Sequence, residues 1–221
     1  MQSSPLNLAV LVSGSGTTLQ NLVEQIAAGE LEARIGIVIG SKADLPALKR
    51  SSDAKLMNFV VDRRDHKDVA AFSKQVFTLC DDAGADLVVL AGWLCLLEVP
   101  EKYAGKIFNI HPALLPSFGG KGMYGQKVHE AVLSHGCKVS GCTVHFVDGQ
   151  YDNGPIVLQR VCPVLEDDTP QTLAARVFEE EEQAYPEAIR LFAQGRLKIE
   201  GRRVRVLPPI ADPPFSIETP K

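Results

Sequence analysis

Short apolar segments alternate along this chain with stretches whose apolar residues recur at helical spacing. The first segment, 6–12, runs into a glycine-containing turn at 13–17, and apolar residues then recur as on one helix face from 19 to 26. Further strands are predicted at 34–40, 57–61, 86–90 and 106–110, with helices near 44–52 and 67–83. Strands buried on both faces and separated by helices indicate a parallel, doubly wound sheet.

The second half departs from this alternation. A helix is predicted at 126–135, and two strands, 141–147 and 156–164, flank a turn and are expected to pair antiparallel. A long amphipathic helix follows over about 170–194, and a short hairpin comes after it. Because neither a repeat nor a linker interrupts the pattern, we predict one domain over 1–221, with a Pro-rich tail, 208–221, that is poorly ordered.

Composition excludes several classes of protein. The 221 residues are 45% hydrophobic and 23% charged, which is typical of a folded globular chain. The chain has a net charge of −4 and therefore no excess of basic residues, which nucleic-acid binding needs, so we expect no nucleic-acid partner. No apolar run approaches the roughly 20 residues of a membrane-spanning helix, and residues 1–5 do not resemble a signal peptide. We therefore expect a cytoplasmic protein with no membrane partner.

The five cysteines favour free thiols in a reducing compartment, because their number is odd and no CxxC occurs. Zinc is the alternative for Cys137 and Cys142, with His135 and His145 nearby. Their spacing matches no familiar zinc motif, so we predict no metal.

The turn 13–18 (SGSGTT) places backbone N–H groups at a predicted helix N-terminus, where an anion is favoured. It is not a dinucleotide fingerprint, since the third glycine would fall at Leu19, and it is not a Walker A loop. A phosphomonoester fits this turn better than a dinucleotide. The alternative is a tight turn that needs glycine only for its backbone angles.

Asn109 and His111 lie two residues apart at the C-terminal end of a predicted central strand, which is where open α/β sheets bind ligands. Strand alternation directs both side chains to one face. An amide that donates to an oxyanion and an imidazole that exchanges a proton suit acyl chemistry through a tetrahedral intermediate. The alternative is a structural Asn beside a hydrogen-bonded His.

Acidic residues later in the chain offer a partner for the imidazole. Asp152, in a Gly-rich turn, could orient it, and Asp148 is a rival in the same loop. His145 is either a packed strand residue or a catalyst. The run Glu179–Glu182 spans one helical turn, so at least one of its carboxylates points away from solvent. A serine hydrolase is not favoured because the chain has no GxSxG.

Together, these segments resemble a known family. The resemblance rests on the motifs SGSGTTLQ (13–20), AGWL (91–94), NIHPALLP (109–116), TVHFV (143–147) and DNGP (152–155), and it extends from about residue 6 to about 199. The chain resembles the phosphoribosylglycinamide formyltransferases. The resemblance implies a Rossmann-like formyltransferase fold, with a mostly parallel sheet, helices on both faces and an antiparallel extension in the C-terminal half.

The implied reaction passes the formyl group of 10-formyltetrahydrofolate to the amine of glycinamide ribonucleotide, without a metal, in purine (IMP) biosynthesis. Residues 1–105 would form the nucleotide-phosphate-binding half, and 106–207 the catalytic and folate-binding half. The family's catalytic residues fall on Asn109, His111 and Asp152. Its ribonucleotide-binding residues fall on Gly14, Ser15, Gly16, Thr17, Thr18 and Glu181. Its folate-binding positions fall on Leu94, Cys95, Leu96, Leu97, Asn109, His145, Val147 and Asp148.

The resemblance also implies a mechanism. Asn109 and a protonated His111 would meet the oxygen that gains charge, and Asp152 would raise the pKa of His111 and hold a water that relays the proton. The chain departs from the family pattern at Thr18, where Asn is common, and at Cys95, where Arg is frequent, which leaves open how the folate glutamate tail is held. The loop 117–125 also differs, and we expect it to cover the ribonucleotide with help from Lys121.

Three other functions are considered. Formyltetrahydrofolate hydrolase shares the three polar residues but usually has an N-terminal regulatory domain, whereas the first strand here begins at about Leu6. Methionyl-tRNA formyltransferase would need a further C-terminal domain. A non-catalytic nucleotide-binding module is the alternative from a different class. The expected partners are the small-molecule substrates, and the protein is expected to be a monomer or homodimer.

Overall fold

The computed structural model describes residues 4–209, and these contain nine strands and five α-helices. The strands are β1 (Leu6–Val12), β2 (Ala33–Gly40), β3 (Asn58–Val60), β4 (Leu87–Leu90), β5 (Ile107–His111), β6 (Val139–Phe146), β7 (Ile156–Pro163), β8 (Leu197–Glu200) and β9 (Arg203–Val206). The helices are α1 (Thr17–Ala27), α2 (Pro46–Asp53), α3 (Val69–Asp82), α4 (Gln126–Ser134) and α5 (Pro170–Ala193). Two short 3₁₀ helices, Arg63–Asp65 and Glu101–Tyr103, were not predicted.

All nine strands join one sheet in the order β3-β2-β1-β4-β5-β6-β7-β9-β8. The five strands β1 to β5 pair in parallel, and β6 then pairs antiparallel with both β5 and β7. The short hairpin of β8 and β9 closes the far edge. The predicted fold class, a mostly parallel sheet with an antiparallel extension in its second half, is confirmed.

Two apolar clusters lie on opposite faces of the sheet. Alternate residues of β1 enter different clusters: Leu8 joins the one that contains residues of α1 and α5, and Ala9 joins the one that contains residues of α3. Because β1 is covered by helices on both sides, all its residues except Asn7 are apolar.

Helix α5 is tied to the centre of the sheet through Tyr185. This side chain is fully buried, and its hydroxyl lies 2.9 Å from the carbonyl oxygen of Leu90 and 3.1 Å from that of Phe108. A phenol has one proton to donate, so the two carbonyls share it. The long helix is thereby fastened to the last residue of β4 and to the second residue of β5.

The remaining expectations have mixed outcomes. All five cysteines are free thiols, as predicted. The residues considered for zinc do not converge, since residues 4–209 contain no group of three or more His, Cys, Asp or Glu side chains suited to a metal. Among the described residues, no helix is both long and apolar enough to cross a membrane. Most of the tail predicted to be poorly ordered, 210–221, lies outside the described residues.

Candidate active site

Asn109 and His111, at the end of β5, both contact the carboxylate of Asp152. The Nδ2 atom of Asn109 lies 3.3 Å from Oδ1 of Asp152, and Nδ1 of His111 lies 3.5 Å from Oδ2. Strand alternation places the two β5 side chains on one face, and the turn after β6 carries the carboxylate to them. The structure therefore brings together the three side chains that the sequence singled out.

Asp152 is held in an unusual backbone conformation, with φ at +51°. Non-glycine residues rarely adopt this left-handed region, although Asp tolerates it better than most. Its Oδ2 atom also accepts the backbone N–H of Gly120 at 2.9 Å. Burial acts to raise the pKa of Asp152, but the contact with His145, the charge of His111 and the Gly120 N–H outweigh it, and the pKa lies below its usual value.

Asp148 does not reach this cluster. Its side chain accepts the backbone N–H of Gln150 at 3.1 Å and the side-chain amide of Asn153 at 2.7 Å. The residue is exposed and closes the turn that carries Asp152. Of the two rivals in this loop, only Asp152 faces Asn109 and His111.

Both ring nitrogens of His111 face oxygen atoms. Nε2 lies 2.8 Å from the carbonyl of Phe118, and Nδ1 faces Asp152. Burial nevertheless lowers the pKa of His111 below its ordinary value, and the charge of Asp152 and the Phe118 carbonyl offset this effect only in part. The predicted effect of Asp152, which raises the pKa of His111, is confirmed, but the cost of charging an almost fully buried ring outweighs it.

His145 is a buried residue that orients Asn109. Its Nδ1 atom lies 2.7 Å from the carbonyl of Phe146, so Nε2 is left to accept the Asn109 amide at 3.1 Å. Both Nδ2 protons of Asn109 then have partners, namely His145 and Asp152. To donate to a substrate oxygen, Asn109 must exchange the longer of these contacts, the one with Asp152.

Two pockets meet at this cluster. The first is a narrow slot of about 50 Å³ between the segments 90–97 and 145–152. The second is a cleft of about 490 Å³ that extends towards α1 and α5. Both are lined by Trp93, Asn109, Tyr151 and Asp152. The two cavities therefore share one wall, and that wall contains Asn109 and Asp152.

Six of the predicted folate-binding residues line the slot, and they are Cys95, Leu96, Leu97, Asn109, His145 and Val147. Leu94 is exposed and lines the cleft instead. Asp148 lines neither cavity, since its side chain is bound within its own turn. The structure thus places these two residues outside the slot.

The cleft reaches two of the residues predicted to bind the ribonucleotide, Thr18 and Glu181. Gly16 caps α1 with φ at +79°, and a side chain there would lie 2.7 Å from Ala47. Gly14, Ser15 and Thr17 are exposed in the same turn, beside the cleft, and do not line it. Gly16 is thus required by both its backbone angle and the packing of α2.

More glutamates of the acidic run on α5 make contacts within the protein than predicted. Burial and the neighbouring Glu182 raise the pKa of Glu181 to about 8. Glu180 is not simply solvent-facing, because its carboxylate lies 2.8 Å from the guanidinium of Arg160 on β7. The expectation of three solvent-facing glutamates was therefore wrong for Glu180.

Several residues near the site were missed by sequence reasoning. Arg50 donates from Nε to the carbonyl of Ser15 at 3.0 Å, 35 positions away, and no local signal predicts this contact. Arg63 is close enough to Cys95 to affect the pKa of its thiol, which burial and Asp62 raise. Tyr151 lines both cavities and directly precedes Asp152, so its position in the sequence could have identified it as a site residue.

The loop 117–125 was predicted to cover the ribonucleotide. Residues 120–125, including Lys121, line the cleft.

Comparison with known proteins gives consistent matches. A family model described as formyl transferase matches residues 6–189. A phosphoribosylglycinamide formyltransferase of Haemophilus influenzae is 35% identical over 195 residues, which cover 87% of this chain and 90% of that protein. The trifunctional purine biosynthetic protein adenosine-3 of Gallus gallus is 36% identical over 90% of this chain, but the match spans only 20% of that longer protein.

Solved structures agree with these matches. Glycinamide ribonucleotide transformylase 1 from Symbiobacterium toebii superposes with a TM-score of 0.87 at 42% identity, and the match covers 94% of this chain and 96% of that one. A formyltetrahydrofolate deformylase from Pseudomonas syringae shares the fold, with a TM-score of 0.82 at 23% identity. The match covers 93% of this chain and 67% of the deformylase.

Proposed function

The chain belongs to the formyl transferase family, and we propose that it transfers the formyl group of 10-formyltetrahydrofolate to the amine of glycinamide ribonucleotide. The products are formylglycinamide ribonucleotide and tetrahydrofolate, a step of purine (IMP) biosynthesis. One observation carries the proposal: a narrow slot and a larger cleft share a wall that contains Asn109 and Asp152. A transferase needs such a meeting point, because its two substrates must bring a donor carbon and an acceptor nitrogen together.

In this proposal the folate pteridine occupies the slot between Leu97 and Val147, where mostly apolar walls suit a flat ring. The ribonucleotide occupies the cleft. Its phosphate lies at the N-terminus of α1, where backbone N–H groups and Thr17 and Thr18 favour an anion. The carboxyl group of Glu181 binds the ribose hydroxyls.

The side chains act on the transfer as follows. The neutral substrate amine attacks the formyl carbon, and the oxygen that gains charge is met by the Asn109 amide and by a ring N–H of His111. The new carbon–nitrogen bond forms first and gives a tetrahedral intermediate, from which the bond to the folate nitrogen then breaks. Asp152, ionised because its pKa is low, accepts the proton from the attacking nitrogen through a water and passes it to the departing nitrogen.

The cellular setting follows from the same assignment. We propose that the protein acts in the cytoplasm, as a monomer or homodimer, on small-molecule substrates and without a metal, a nucleic acid or a membrane. The five free thiols and the net charge of −4 support this proposal.

An acceptor-resolved assay tests the proposed function. Purified protein is mixed with 10-formyltetrahydrofolate, with and without glycinamide ribonucleotide, while the folate absorbance is followed and the ribonucleotide product is identified by mass. We expect a change that depends on the ribonucleotide. An equal change without it would indicate a hydrolase, and no change in either mixture would indicate a binding module.

A further inference from the structure

The hairpin of β8 and β9 lies beyond residues 6–189, which the family model matches, and it contacts the turn that carries Asp152. Arg202, between the two strands, donates from Nη2 to the carbonyl oxygen of Asn153 at 2.8 Å. The next residue, Arg203, forms the one backbone pairing between β7 and β9, opposite Ile156. The hairpin therefore touches the chain on the C-terminal side of Asp152.

The chain on either side of Asp152 is held at several points. Before it, the Asp148 side chain bonds to Gln150 and Asn153. After it, Gly154 lies so close to the carbonyl of Phe146 that a Cβ would be 1.8 Å away. Asp152 itself has a left-handed backbone, which a non-glycine residue keeps only when its surroundings impose it.

The peptide between Asp152 and Gly154 has one acceptor that points to the hairpin, the Asn153 carbonyl. Rotation of the Asn153–Gly154 peptide, which contains this carbonyl, would change the backbone angles of Asn153 and Gly154, and the adjoining Asp152 would shift with them and turn its carboxylate away from His111 and Asn109. A guanidinium is a suitable group to prevent that rotation, because its donors lie in a fixed plane.

We propose that Arg202 is a positioning residue for the proposed formyl transfer, because its bond to the Asn153 carbonyl holds Asp152 in the conformation that directs the carboxylate at Asn109 and His111. The inference rests on the proposed function for its kinetic readout. It assigns a role to the C-terminal hairpin, which no step of the mechanism otherwise uses.

Kinetics of matched variants provide the first test. Arg202→Ala removes the donor, Arg202→Lys keeps a cationic donor, and Arg203→Ala is the control, since the Arg203 side chain has no hydrogen bond within residues 4–209. For Arg202→Ala we expect kcat to fall about fivefold with little change in either KM, the equivalent of one hydrogen bond. Arg202→Lys should recover part of the loss, and Arg203→Ala should match the parent.

The pKa of His111, measured by NMR in the full chain without substrates, provides a readout that needs no activity. The groups that face this ring are Asp152, His145 and His129. The charge of Asp152 raises the pKa of His111, so freeing Asp152 in Arg202→Ala should lower that pKa, whereas Arg203→Ala should leave it in place.

The outcomes separate the two proposals. Unchanged kcat and unchanged His111 pKa in Arg202→Ala, or equal losses in Arg203→Ala, would overturn the positioning role. If the parent protein transfers no formyl group but Arg202→Ala still lowers the His111 pKa, the proposed function fails and the positioning of Asp152 stands. If the parent protein transfers no formyl group and Arg202→Ala leaves the His111 pKa unchanged, the proposed function and the positioning role both fail.

Discussion

The Nδ1 atom of His111 lies 3.5 Å from Oδ2 of Asp152, and the side chains are only 4% and 10% exposed. Each group favours the charged form of the other, yet only the carboxylate has a pKa shifted in that direction. The carboxylate also has the Gly120 N–H and His145 beside it, whereas burial dominates for the imidazole. Of the two groups, Asp152 is therefore the one whose surroundings favour its charged form.

Asp152→Asn should lower kcat by about 10²- to 10⁴-fold, the usual contribution of a positioned acid or base, because the amide cannot accept the migrating proton. The fold should persist, since Asn can still accept the Gly120 N–H. Steady-state kinetics of the amine-dependent reaction measure the effect. The matched variant is Asp148→Asn in the same turn, for which we expect less than a tenfold loss, and a near-parental rate in Asp152→Asn would refute the role of its carboxylate.

Asn109→Ala should lower kcat by about 10²- to 10³-fold, as loss of one oxyanion donor typically does. The variant also leaves Nε2 of the buried His145 without its amide donor. Asn58→Ala, at the opposite edge of the sheet, is the control for a general effect of removing an amide. Thermal melting of both variants separates a loss of chemistry from a loss of fold, and equal kcat values for the two would contradict the assignment.

Gly16→Ala should destabilise the protein by about 2 kcal/mol or more, because alanine is strained at positive φ and its methyl group would overlap Ala47. Gly14→Ala is the matched change in the same turn, where a Cβ meets nothing within 4 Å. Urea unfolding of both variants measures the free energy of unfolding. Similar values for the two would show that the turn does not need glycine at position 16.

Glu181→Gln should change how stability depends on pH. The folded-state pKa of Glu181 is raised from 4.5 to about 8, so the folded protein keeps a proton that the unfolded chain releases between these values. Stability contributed by this group is complete below pH 4.5 and is lost as the pH rises towards 8. Glutamine does not titrate, so the variant should gain stability relative to the parent between pH 5 and pH 8. Parallel stability curves over this range would contradict the raised pKa.

Replacing Arg63 with alanine should raise the KM for 10-formyltetrahydrofolate, because this cation lies in the 3₁₀ helix beside Cys95 and suits the glutamate tail. A formyl-pteroate substrate, which lacks the glutamate, should be used equally well by the parent and the variant. Lys67→Ala removes a nearby exposed cation as a control. Equal KM changes for the two donors would place the tail elsewhere.

Most of the fold and the central cluster could be predicted because their signals are local. Apolar runs and helical spacing mark the strands and helices to within a few residues, and the Asn109–His111 pair needs only strand alternation to share a face. The pairing of β5 with β6, which sets Asn109 opposite His145, was not predicted.

The features that could not be predicted depend on contacts between distant parts of the chain. Arg202 and Asn153 are 49 positions apart in the sequence, and no feature of either segment predicts their contact. The pKa of His111 depends on burial by surrounding elements, which a motif does not encode. The pairing of Glu180 with Arg160 depends likewise on how α5 packs on β7.

Tyr185 and Glu181 are one helical turn apart on α5, and the phenol is bound to the carbonyls of Leu90 and Phe108. If Glu181 binds the ribose as proposed, the distance between the sugar and Asn109 is set by this hydroxyl, because its hydrogen bonds fix α5 against β4 and β5. The proposed transfer would then depend on a fixed distance between the two binding sites. Acceptors whose amine lies nearer to or farther from the ribose than the amine of glycinamide ribonucleotide would not reach the formyl carbon.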